Sequence, residues 1–78
     1  MIDAKQAVQA ARDYFREITE YEGGVTVEEI ELDSENGYWL VTLGYREQEM
    51  LPVQAYKRFW VRTEDGFVTA MKIRELAS

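Results

Sequence analysis

From Ala4 to Tyr21 the apolar residues recur at Ala4, Ala7, Val8, Ala11, Tyr14, Phe15 and Ile18. Steps of three and four trace one face of an α-helix. Lys5, Gln6, Gln9, Arg12, Asp13, Arg16, Glu17 and Glu20 fill the opposite face. Asp3 stands where an N-cap belongs, and Gln6 three residues on makes a capping box with Asp in place of Ser or Thr. Gly23-Gly24 supplies a left-handed stop. The spacing predicts a helix about 27 Å long. Its stripe is tapered, with alanines and Val8 first and Tyr14, Phe15 and Ile18 after, so the covering surface approaches closely at the start and stands off at the end.

Past the glycines the apolar period falls to two. Val25 and Val27 share one parity and Ile30 and Leu32 the other, which predicts a β-bulge at Glu28-Glu29. Asp33-Ser34-Glu35-Asn36-Gly37 reads as a turn. A second strand, Tyr38 to Tyr45, sets Trp39, Val41, Leu43 and Tyr45 against Tyr38, Leu40, Thr42 and Gly44. The connection 46–54 is longer than a usual hairpin loop, and its Pro52 argues against a paired central strand. A third strand, Ala55 to Arg62, sets Phe59 and Val61 against Tyr56, Arg58, Trp60 and Arg62. Thr63-Glu64-Asp65-Gly66 has the Asp-Gly pair of tight hairpins. A fourth strand, Phe67 to Arg74, has Phe67, Met71 and Ile73 on one side and Val68, Ala70, Lys72 and Arg74 on the other.

The order α-β-β-β-β predicts an α+β fold, one N-terminal helix packed on a four-stranded antiparallel meander sheet. The expected core is Val8, Ala11, Phe15, Ile18, Val27, Ile30, Leu32, Trp39, Val41, Leu43, Phe59, Val61, Met71 and Ile73. A single helix covers one face of such a sheet and leaves the second open. That face is expected to carry Tyr38, Leu40, Tyr56, Arg58 and Trp60, residue types that anchor interfaces. Met50, Leu51 and Val53 of the long connection are a second candidate contact, with folding over the helix end or under the sheet as the alternative.

The helix Ala7-Val8-x-x-Ala11 to Tyr14-Phe15, then Val27-Glu28-Glu29-Ile30, Tyr38-Trp39-Leu40-Val41-Thr42 and Tyr56-Lys57-Arg58-Phe59-Trp60, resemble a cystatin-like architecture. Of these, PepSY-like domains are the most similar. The unit Val61-x-x-Glu64-Asp65-Gly66-x-Val68 resembles that family's valine, acidic residue, glycine, valine hairpin. The resemblance covers nearly the whole chain through apolar alternation and turn residues. It implies a curved meander wrapped on a helix, and an association with protease inhibition or regulation and with binding at the cell envelope.

Length and charge narrow the function classes. At 78 residues the chain reads as one domain, and 46% apolar residues supply a core. Cysteine is absent, which removes disulfides and thiolate metal sites and fits a reducing compartment. Charged residues near the start and no long apolar run point to a cytoplasmic protein without signal peptide or membrane helix. A net charge of −6 disfavours nucleic acid and anionic membranes as partners.

Catalytic chemistry has little to draw on. Histidine is also absent, and Ser34 and Ser78 lack a nucleophile-elbow context. Glu28, Glu29 and Glu31 read as a solvated strand edge rather than a tuned acid–base pair. The 33–37 turn has its glycine one place early for a calcium loop, and no glycine-rich phosphate loop occurs. No cofactor, metal or enzymatic activity is therefore expected. The expected function is a non-enzymatic protein-binding or self-associating module, a homodimer being its simplest form. The alternative is an acidic inhibitor or immunity-type protein that blocks a basic site on another protein.

Overall fold

Asp3 starts the helix as its composition requires. Its carboxylate accepts the Gln6 N–H at 2.8 Å, and its own N–H donates to the Gln6 side chain at 2.9 Å, closing the capping box. The computed structural model describes residues 1–46 and 54–74. In it helix α1 spans Ala4–Thr19, followed by β1 Thr26–Asp33, β2 Tyr38–Arg46, β3 Gln54–Arg62 and β4 Val68–Ile73. The strands form one antiparallel sheet in the order β1-β2-β3-β4. This is the α+β arrangement expected from the periodicity.

The helix ends two residues earlier than the spacing predicts, and not at a glycine. Glu20 is the C-cap, in the left-handed region at φ 59°, its N–H donating to the Arg16 carbonyl. Tyr21 leaves the helix to pack at a tilt on Phe15 at 5.6 Å and edge-on against Tyr45 at 5.4 Å between ring centroids. Aromatic burial outweighs another turn of helix there.

The core lies between α1 and one sheet face. Ala7, Ala11 and Phe15 of the helix meet Val41, Leu43, Tyr45, Phe59, Val61 and Val68. Alanines let the helix start close, and Phe15 fills the wider end against Phe59 and Tyr45. The N-terminal segment is pinned as well. Ile2 N–H donates to the Thr63 carbonyl at 2.7 Å, and Trp39 Nε1–H donates to the Ile2 carbonyl at 3.1 Å.

Five expected core residues lie outside it. Ile18, Val27, Ile30, Leu32 and Ile73 are exposed. The helix rests on β2, β3 and β4, so the helix-side residues of β1 sit beside it rather than under it. The bulge expected at Glu28-Glu29 is present, the register slipping between Val27 and Glu29. A second slip, opposite Trp60 and Val61, places Thr69 as an extra residue in β4. It turns Val68 into the core opposite Val61 and leaves Phe67 in solvent, the reverse of the alternation expected for that strand.

Candidate functional site

Period-two alternation carries the open face. Phe59 is fully buried beneath the helix, so its neighbours Arg58 and Trp60 point the other way. The register then builds four rungs across that face: Glu31, Leu40, Trp60 and Ala70; Glu29, Thr42, Arg58 and Lys72; Asp33, Tyr38 and Arg62; and Thr26, Gly44 and Tyr56. Tyr38, Leu40, Tyr56, Arg58 and Trp60 all share it and are all partly exposed. Met50, Leu51 and Val53 lie outside the described residues.

An ion cluster crosses the face. Glu29 Oε1 accepts hydrogen bonds from Thr42 Oγ1 at 3.2 Å, Arg74 Nε at 3.3 Å and Arg58 Nη2 at 3.5 Å. Arg74 reaches from beyond β4 across the sheet to β1, and Thr42 is completely buried beneath. The Arg74 hydrogen bond is the main cause that holds the Glu29 carboxyl below its ordinary pKa, with Thr42 and the charge of Arg58 helping. Adjacent acids and bases on the first and third strands thus neutralise one another in part.

The cluster divides the expected surface. Leu40 and Trp60 are direct cross-strand partners, with Tyr38 one rung away. Tyr56 lies on the far side of Arg58, about 13 Å along the strand from Trp60. Lys72 Nζ sits 5.2 Å from the Trp60 ring centroid, a cation–π contact, and forms no ion pair among the described residues. Arg58, Trp60, Lys72, Ile73 and Arg74 line a shallow depression that runs to the β4 edge. Arg58 Nε is buried and has no hydrogen-bond partner among the described residues. What the arrangement can do chemically is hold a carboxylate beside an apolar group.

Elsewhere the functional groups are few. Arg62 is taken by Glu64 at 3.1 Å and Asp65 at 3.5 Å in the β3–β4 turn. The Asp33 carboxylate is taken by Asn36 in the β1–β2 turn. Among the described residues no group of three or more acidic, histidine or cysteine side chains could hold a metal ion. No helix among them is long and apolar enough to cross a membrane. A second hollow, at the helix C-terminal end, is lined by Tyr21, Gly24, Thr26, Gly44, Arg46 and Gln54, and its described lining holds no acidic side chain.

Sequence periodicity missed one surface. Val27, Ile30 and Leu32, placed in the core by their alternation, form an uncovered aliphatic row on the helix side of β1. The tapered stripe contained a hint of this, because one 16-residue helix is too narrow to cover four strands.

Fold and face together define a small α+β domain with one helix-covered and one open sheet surface. No protein-family model, curated protein or solved structure matches the chain.

Proposed function

We propose that the chain is a non-enzymatic binding module whose open sheet face docks a protein partner through Trp60, Leu40 and Tyr38. The partner offers an apolar side chain to Leu40 and Trp60 and an acidic one to Lys72 and Arg58. The observation that supports this most is the Leu40–Trp60 pair itself, partly exposed opposite the helix and flanked by a lysine with no ion-pair partner among the described residues. Trp, Tyr and Arg at the centre of a patch are the usual anchors of protein interfaces. Self-association through this face is the simplest form of the same activity.

The inhibitor reading has less behind it. Glu29 is neutralised by two arginines and Asp33 serves its turn, so β1 offers fewer free acids than its sequence suggests.

The test compares wild type with Trp60→Glu, a change on the open side that leaves Phe59 and the helix contact in place. Far-UV circular dichroism should be unchanged, and thermal melting should stay cooperative with its midpoint lowered by no more than several degrees. Partners recovered by wild-type protein from its native host should be lost with the variant, and each purified partner should bind at least tenfold more weakly to it. Equal recovery and equal affinity for the two proteins would remove the proposal.

A further inference from the structure

The two edges of the sheet fit each other. β1 carries Glu28, Glu29, Glu31 and Asp33 and no base, whereas β4 and the residue after it carry Lys72 and Arg74 and no acid. Both edges also leave aliphatic side chains in water on the helix side. Ile30 is 39% exposed and Leu32 44%, while Ile73 on the opposite edge is 76% exposed.

Backbone direction sharpens the match. Thr63 N–H donates to the Gly37 carbonyl, so on β2 the odd residues address β3 and the even ones address β1. Glu29, Glu31 and Asp33, opposite Thr42, Leu40 and Tyr38, therefore bond inward. Ile30 and Leu32 direct their N–H and C=O groups out of the sheet. On the other edge Arg74 N–H donates to the Tyr56 carbonyl, so Lys72 and Arg74 bond inward and Met71 and Ile73 direct theirs outward. The free backbone groups at both edges belong to the helix-side aliphatic residues.

From this we propose that β1 of one copy pairs antiparallel with β4 of a second copy. Ile30 stands opposite Ile73 of the second copy and Leu32 opposite Met71, each pair exchanging backbone hydrogen bonds. Glu31 then faces Lys72 of the second copy, where non-hydrogen-bonded partners stand closest. Neither of those side chains has an ion partner within its own chain among the described residues. The bulges at Glu28 and Thr69 confine the regular contact to Glu29–Asp33 and Ala70–Arg74. Pairing of β1 with β1, or β4 with β4, would set like charges opposite one another, the usual protection of an edge strand. Only the unlike edges attract. Both helices fall on the same side of the joined sheet, and the joined pair keeps one free edge of each kind, so growth is head-to-tail.

Sedimentation of the intact chain over a concentration series tests the pairing. The wild type should show mass rising with concentration beyond a dimer. Leu32→Lys spoils the β1 edge and Ile73→Glu the β4 edge, both at exposed positions. Each variant alone should stay monomeric, and an equimolar mixture should form a 1:1 dimer that grows no further, through the intact edges. Lys72→Glu should weaken association about two- to fivefold, with Glu31→Lys in the same chain restoring it. A wild type that stays monomeric, or variants that fail to complement on mixing while circular dichroism shows them folded, would overturn the proposal. Trp60→Glu should leave this assembly intact. Assembly lost in Trp60→Glu and kept in the edge variants would instead assign self-association to the open face.

Discussion

Glu20 is the one described non-glycine residue with positive φ. A side chain in the left-handed region costs about 1 kcal/mol relative to glycine. Glu20→Gly should therefore stabilise the fold by about 0.5–1 kcal/mol, raising the melting midpoint by several degrees in a scan against wild type. Glu29 sets an acid limit instead. Its folded pKa is depressed below the ordinary 4.5, so its contribution is complete above that value and is lost as pH falls through the folded one. Glu29→Gln should flatten the loss of stability below about pH 4.5, read from denaturant midpoints at several pH values. The same variant frees Arg58 and Arg74 on the open face.

Adjacent residues on β3 have opposite duties because the strand alternates. Phe59, fully buried, touches Phe15 and Tyr14 edge-on, at 6.1 and 6.4 Å between ring centroids. Phe59→Ala should cost about 3–5 kcal/mol. That equals the whole stability a core of this size commonly supplies, so the variant should be largely unfolded by circular dichroism. Trp60→Ala should cost about 1 kcal/mol or less, the loss of a cross-strand pair and a cation–π contact. Under the proposed function its larger effect is on binding. Along β1 the period located the bulge at Glu28, because Val27 and Ile30 cannot share a face without it. Along β4 the bulge at Thr69 was not legible, since Phe67 and Val68 are both apolar and only the register against Val61 decides which turns inward.

At the scale of the molecule, the helix is held by its buried stripe and by a fastening at its N-terminal end. Trp39 Nε1–H and the Thr63 carbonyl both bond Ile2, joining the segment before the helix to β2 and to the turn that follows β3. Trp39→Phe keeps the ring and removes one partly buried hydrogen bond, so a cost of about 0.5–1.5 kcal/mol should appear in the denaturant midpoint with an unchanged slope. The helix covers β2, β3 and β4 and leaves the aliphatic row of β1 uncovered. One consequence is that the described residues expose a face centred on Trp60 and a pair of unlike sheet edges.

Local rules, read along the chain, determined the elements, their order, the capping box, the first bulge and the separation of Phe59 from Trp60. Each of these depends on residues within a few places of one another. The end of the helix, the exposure of Ile30 and Leu32, the inward turn of Val68 and the ion cluster over Thr42 were decided by tertiary structure alone. Tyr21 stops the helix only because Tyr45 is there to receive it. Glu29 meets Arg74 across 45 residues of chain. An apolar side chain records that burial is favourable, but which of them obtain it depends on the width of the helix that arrives to cover them.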